Sequence, residues 1–580
     1  MKKLLPPRRK GAKKESSFRN TAALGALAPL RENSALLNRR NFLGSLAAAS
    51  AVSLLAPRVG RAAESSIEIL LNEPIGKIHP DIYSHFIEHL GGVVYDGIWV
   101  GEKSKVPNIG GIRRDLVEHL KRIKPGAMRW PGGCFADQYD WRDGIGPRDK
   151  RPRRVNFWAD TTYKITDSYK QLNSGPQKYE PNWFGTNEFM QFCRLTGSQP
   201  YFAANVRSLR VKDFLDWIEY CNAPAGLTTL SDQRAAAGDK EPYNISFWGV
   251  GNENWGCGGD MTPEEYATEF RRFTAWLPTY GVKLKLIGSG PNGGDLGWTR
   301  RFFTKLMEKG QRMADRMYGW ALHYYTGTTG KGNALEYTLD EWYDLIARSD
   351  RMESLITQHW QVMGEFDTQR RVKLIVDEWG AWHLQDASLP PGYLYGYPAT
   401  LRDALISAIN LDTFQRHADK VVMANPAQLI NTIHSLFLAY EDKFIVTPNY
   451  HVFDMYAAHQ GAQAVRTEFI SPRVSFTRAE KPADFWGLSG SASLNGKELT
   501  LTAVNPDAKN ARETEINIRG ARVMEGRARV LSATDIHAHN SFANPRGLEP
   551  RNEKVEVGSA GQLVYRFQPA SVTRLQLTLA

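Results

Sequence analysis

Cysteine is scarce in this chain: four in 580 residues, Cys134, Cys193, Cys221 and Cys257, with no CxxC pair among them. That excludes a small disulfide-built scaffold and leaves zinc ribbons and dithiol redox motifs without support. Buried free thiols are the expected state for most of the four. Long apolar runs are also missing, since GSLAAASAVSLLAP at 44–57 is fourteen residues, short of the ~20 that cross a bilayer. No Walker-type phosphate loop follows any candidate strand. Charge is lacking where it would matter. The net +11 lies entirely in residues 1–63, which hold thirteen Lys and Arg against two Asp and Glu. Residues 64–580 are formally neutral, so nothing in the body attracts polyanions, and neither nucleic acid nor membrane is expected as a partner.

What is present is aromatic: 16 Trp, 23 Tyr and 25 Phe, an excess that often lines sugar or nucleobase clefts. The leader reads as an address. Asn38-Arg39-Arg40-Asn41-Phe42-Leu43 precedes the apolar run, and small residues follow at Gly60–Ala63, a layout that resembles a twin-arginine export signal. The alternative is a basic arm or an amphipathic targeting helix. Export by that route places the protein in the periplasm or outside the cell, and it carries chains that are already folded.

Beyond the leader, short β-rich apolar stretches alternate with amphipathic helical ones. Eight strands are predicted: His79–Glu88, Ala127–Pro131, Pro200–Asn205, Ile245–Asn252, Lys283–Ser289, Gly319–Tyr325, Lys373–Glu378 and Val421–Gln428. Helical patterns lie between them, and Thr262 with Glu265 forms a capping box that opens one. Eight such units predict an α/β fold, a (β/α)8 TIM barrel with insertions at 148–181 and 331–350. From about residue 461 the helical period stops and short alternating segments such as ELTLTAVNP take over, the pattern of an all-β C-terminal antiparallel sandwich. The predicted organisation is 1–63 leader, 64–76 a strand pairing into the sandwich, 77–460 barrel and 461–580 sandwich.

Two segments carry chemistry. FWGVGNENWGCGG ends the fourth strand with Asn252 and Glu253, and LIVDEWGAWH ends the seventh with Asp377 and Glu378. Barrel active sites sit at the C-terminal ends of the strands, so the two carboxylates face one bowl from opposite sides. Glycosidic cleavage needs two carboxyls, one to protonate the leaving oxygen and one to attack or support the anomeric carbon. Asn252 is suited to hydrogen-bond the sugar 2-OH. A structural ion pair would account for either Glu alone, but poorly for both together with an Asn and two nearby Trp.

With these motifs the chain resembles glycoside hydrolase family 51, the α-L-arabinofuranosidases. The resemblance runs through FIEHLGGVVYDGI (86–98), RWPGGCFADQYDWRDGIGP (129–147), FGTNEFMQFC (184–193), GNENWG, LHYYTG, VDEWGAW and ANPAQLINTI (424–433). It implies Glu253 as acid/base and Glu378 as nucleophile of a retaining mechanism, with carboxyls ~5–5.5 Å apart. It further implies Glu88 as a clamp on sugar hydroxyls, Arg129 as the cation keeping the nucleophile ionised, and Tyr325 as its hydrogen-bond donor. Gln428 would contact the sugar and Trp382 would stack on it. For each, an ordinary core or ion-pair role is the bland alternative. Many members have Asn where this chain has Cys134, a substitution that removes a hydrogen-bond donor beside the sugar. A metal site from Cys134, Cys257 and a histidine is set aside because two-carboxylate chemistry needs no metal or other cofactor. His323 and His383 are read as hydrogen-bond partners. The implied partner is an arabinose-containing oligosaccharide or polysaccharide, and family members are often homo-oligomers. Two other readings remain: a retaining β-glycanase on the same barrel, and a non-catalytic carbohydrate-binding protein.

Overall fold

A computed structural model describes residues 64–159, 179–386, 388–389, 393–558 and 562–580. The export-signal reading of Arg39 and Arg40, and 160–178 of the first insertion, lie outside them.

All eight predicted strands form, at His85–Phe86, Ala127–Trp130, Gln199–Ala204, Phe247–Val250, Lys285–Gly288, Gly319–Gly327, Lys373–Trp382 and Val421–Pro426, the sixth and seventh running past their predicted ends. They pair in parallel in chain order. The seam between the eighth and the first is bridged by the Leu429 N–H donating to the Phe86 carbonyl at 3.0 Å, so the sheet curls into a nearly closed barrel. Inward side chains from seven strands, Ala127, Tyr201, Phe247, Ile287, Ala321, Ile375 and Met423, pack as one buried cluster that plugs it. Two alanines, Ala127 and Ala321, leave room in this ring for the five larger side chains to fill it.

The helices follow from their apolar spacing. Arg114–Ile123 buries Leu116, Val117, Leu120 and Ile123 on one stripe and keeps its charges outward. The Thr262 capping box forms as expected, Thr262 Oγ1 accepting from Glu265 N while the Glu265 carboxylate accepts from Thr262 N. The glycines at 288–293 have a GxGxxG spacing, but in this nearly closed barrel they serve packing: a Cβ at Gly290 would stand 1.7 Å from the Ala321 carbonyl oxygen.

The second insertion is partly helical. Its latter part is the helix Leu339–Ser349, whose Tyr343 packs on Phe476 and Phe485 of the hairpin Val474–Arg478 and Lys481–Phe485. Two features had no clear sequence signal: the hairpin Phe437–Tyr440 with Lys443–Val446, and the helix Pro448–Tyr456 after it.

The C-terminal strands join into one nine-stranded, mostly antiparallel curled sheet. Its concave faces share a core of Ile67, Ile69, Leu499, Leu501, Leu563, Phe567, Leu575 and Leu577. Ser65–Lys77 is third from one edge of it, antiparallel to Gln463–Ile470 and parallel to Arg512–Arg519.

Candidate active site

The bowl is built on an irregularity in the seventh strand. Side chains of a strand alternate faces, so Asp377 and Glu378 should point opposite ways. Leu322 pairs with Val376, yet the next residue, His323, pairs with Glu378. Asp377 is the extra residue of a β-bulge. Both carboxylates consequently turn inward, one above the other, onto a single guanidinium. Arg129 Nε lies 3.2 Å from Asp377 Oδ2, and Nη1 donates to Glu378 Oε1 at 2.8 Å. Nη2 donates to Asn252 Oδ1 at 2.6 Å. Asp377 is completed below by Tyr201 OH at 2.8 Å and Asn425 Nδ2 at 2.7 Å. It is a positioning group for Arg129.

Glu378 is buried, and burial by itself would raise its pKa. His323, Arg129 and the Tyr325 hydroxyl, which donates at 2.7 Å, outweigh that and hold it below the ordinary carboxylate value. Glu253 sits across the bowl, 19% exposed against 7% for Glu378. Its backbone adopts φ 41°, a left-handed conformation rare for a side chain of this size. The turn after it is closed by Gly256 and Gly258 N–H groups donating to the Glu253 carbonyl at 2.7 and 3.1 Å. His323 bridges the two carboxylates, with Nδ1 3.0 Å from Glu253 Oε1 and 3.5 Å from Glu378 Oε2. Burial lowers the imidazole pKa, but Glu378 and then Glu253 outweigh it, and the net shift is upward. One oxygen from each carboxylate lies within 4.8 Å of the other.

The remaining predicted residues converge here. Glu88 is buried, accepting from the Phe135 N–H at 2.9 Å and Gln428 Nε2 at 3.0 Å. Burial pushes its pKa up to about 7, against the lowering effect of the Phe135 N–H. RWPGGC passes between the carboxylates because its glycines have no side chains. A Cβ on Gly132 would be 2.5 Å from Glu88 Cγ, and one on Gly133 3.0 Å from Glu378 Oε1. Trp382 stands edge-on to Tyr325 at 4.9 Å between ring centres. His383 is not in the bowl; it is buried against Asp403 at 3.0 Å.

Cys134 requires a correction. It is not a free thiol beside the sugar, because it forms a disulfide with Cys257, Cα atoms 5.5 Å apart. Only Cys193 and Cys221 are the buried free thiols expected. The loops after strands two and four converge on the same rim, which brings together cysteines 123 positions apart in sequence. Sequence reasoning also missed Trp158, whose indole lies beside Glu88 and whose ring stands 6.0 Å from Tyr395. It belongs to an insertion without a motif. Tyr201 and Asn425 were equally silent, since inside a strand they read as core. The site is defined by its chemistry more than by void space. A cleft of about 710 Å³ between Ile145, Arg148 and the helix Thr229–Ala236 touches none of these side chains.

A parallel barrel with paired carboxylates on strands four and seven defines a glycoside hydrolase. Family models agree: an α-L-arabinofuranosidase 1 domain matches residues 119–342 and an α-L-arabinofuranosidase C-terminal domain matches 377–571. The chain is 34% identical to an intracellular exo-α-L-arabinofuranosidase of Bacteroides ovatus, over 90% of this chain and 98% of that protein. The GH51 arabinofuranosidase of Xanthomonas axonopodis pv. citri superposes with TM-score 0.81 at 32% identity, covering 89% of this chain and all of the other. The Thermotoga maritima α-L-arabinofuranosidase, in an arabinose complex, gives 0.73 at 30% identity with 89% and full coverage. The chain belongs to glycoside hydrolase family 51, the α-L-arabinofuranosidases.

Proposed function

We propose that this enzyme is a retaining, exo-acting α-L-arabinofuranosidase that removes terminal non-reducing arabinofuranosyl residues from arabinan, arabinoxylan or related oligosaccharides. One observation carries the reading: oxygens of Glu253 and Glu378 lie within 4.8 Å of each other. Retaining enzymes keep their carboxyls ~5–5.5 Å apart, whereas inverting ones leave ~6.5–9.5 Å for a water. Exo action is supported by the B. ovatus relative, named for it.

Glu378, held ionised by Arg129 and Tyr325, attacks the anomeric carbon. Glu253, the more exposed carboxylate, protonates the departing oxygen, then takes a proton from the water that releases the sugar from Glu378. Asn252 gives its oxygen to Arg129 and one Nδ2 hydrogen to Cys257 Sγ at 3.8 Å, which leaves the other Nδ2 hydrogen for the sugar 2-OH. Glu88 and Gln428 clamp hydroxyls on the other side, and Trp382 covers the ring. Residues 38–63 would export the enzyme by the twin-arginine route, a location in which the Cys134–Cys257 bridge persists. The B. ovatus relative is named intracellular, so the location of this chain rests on its own leader.

The test is hydrolysis of 4-nitrophenyl α-L-arabinofuranoside followed by proton NMR. The first-formed arabinose is expected to be the α-anomer, and a β-anomer would overturn retention. Glu378→Ala and Glu253→Ala should each lose about 10³-fold or more. Azide should rescue the first with inverted arabinosyl azide and the second with retained azide; the opposite pattern would exchange the two roles.

A further inference from the structure

The disulfide touches the acid/base carboxylate. Glu253 Oε2 lies 3.7 Å from Cys257 Sγ and 4.0 Å from Cys134 Sγ. Oε1 of the same group is occupied by His323, so Oε2 is aimed at the sulfur pair. Both cysteines are half-buried at the rim of the bowl, within reach of a small reductant. Zinc binds thiolate sulfur at ~2.3 Å and carboxylate oxygen at ~2.0–2.2 Å in tetrahedral sites, which sets neighbouring sulfur and oxygen ligands ~3.5 Å apart. The sulfur–oxygen spacing is therefore close to that of a tetrahedral site, and only the sulfur–sulfur bond has to open.

We propose that Cys134, Cys257 and Glu253 form a redox-gated site for a thiophilic divalent cation of the zinc class, closed in the disulfide form and created by reduction. A dithiol donates two hydrogens and leaves as its own cyclic disulfide, and the Cys134–Cys257 bond becomes two thiols. Each sulfur then gives an electron pair to the cation and its proton to solvent, Glu253 Oε2 supplies the third ligand, and water completes the tetrahedron. His323, bonded to Oε1, holds the carboxylate in the orientation that points Oε2 at the cation. The loaded cation takes Glu253 out of proton transfer, so glycoside cleavage stops. This consequence, though not the site itself, rests on the role proposed for Glu253.

The experiment compares the air-oxidised full-length protein with protein reduced by a phosphine and desalted anaerobically. Thiols counted after denaturation should be two and four, because Cys193 and Cys221 are free in both. Four in the air-oxidised protein would refute the gate. Co²⁺ serves as the spectroscopic probe. One equivalent should give a thiolate-to-cobalt charge-transfer band in the reduced protein alone, and Zn²⁺ should bleach it. Cys257→Ser and Glu253→Gln should each weaken cobalt binding at least about tenfold, with circular dichroism confirming the fold. Zn²⁺ should lower kcat/KM of the reduced enzyme at least about tenfold while sparing the oxidised one. Reduced, folded protein with four thiols and no charge-transfer band would overturn the site. A band in a protein inactive on every glycoside would keep the site and discard the role of Glu253.

Discussion

At the scale of single residues, the bowl balances burial against fixed charge. Glu378 and Glu88 are both buried carboxylates, yet they shift in opposite directions. Glu378 has Arg129 at 2.8 Å and Tyr325 at 2.7 Å, whereas Glu88 has only neutral donors in contact. Tyr325→Phe removes one donor to the ionised form, so the Glu378 pKa rises and the acid limb of the kcat/KM–pH profile moves to higher pH. A hydrogen bond to a charged group contributes about 1.5–3 kcal/mol, so kcat/KM should fall about 10- to 100-fold. A pH–rate profile of the variant checks both. An unmoved acid limb would mean that Tyr325 serves only packing.

At the scale of elements, placement depends on two departures from regular geometry. The bulge at Asp377 turns consecutive carboxylates onto one face, and the glycine pair after the second strand lets backbone pass within contact of Glu378. Gly133→Ala tests the second. Its Cβ would press on Glu378 Oε1 at 3.0 Å, and Arg129 pins that oxygen from the other side. Misplacing a nucleophile by a fraction of an ångström is expected to cost about 10- to 100-fold in kcat/KM, with little change in Tm because the contact lies at the open end of the barrel. Steady-state kinetics and calorimetry on one preparation separate the two effects.

Across the whole molecule, the barrel and the curled sheet are fastened through the helix Leu401–Arg416. Asp412, wholly buried, accepts from Ser491 at 2.7 Å, Thr502 at 2.6 Å and Tyr456 at 2.8 Å. Gln415 bonds Tyr83 and Ser491, and Arg416 donates to the Gly490 carbonyl. Burial lifts Asp412 to about 6, against the pull of those donors. A carboxyl raised on folding contributes stability in full below its unfolded value near 4, and that contribution is lost as pH rises through about 6. The loss amounts to about 3 kcal/mol. Tm of the parent is expected to fall between about pH 4 and 6, with Asp81 and Asp137, raised to about 6 and 7, acting in the same sense. Asp412→Asn should show a shallower slope over that window by calorimetry, and an unchanged slope would remove Asp412 from the account.

The sequence by itself determined the eight-strand barrel, the change to all-β texture near residue 461, and the two strand-end carboxylates Glu253 and Glu378 that face one bowl. Periodicity and strand-end position are local properties, and GNENWG and VDEWGAW announce their carboxylates at the ends of strands. Tertiary structure alone decided the rest. Strand-end position puts Cys134 and Cys257 at one bowl but not in a bond with each other, and nothing in VDEW distinguishes a regular strand from a bulge that turns two acids the same way. Trp158 lies beside Glu88 although seventy positions of chain separate them, and Tyr201 and Asn425 read as core until Asp377 is placed between them. Each of these is a contact between segments far apart in sequence, and such contacts exist only once the barrel has closed.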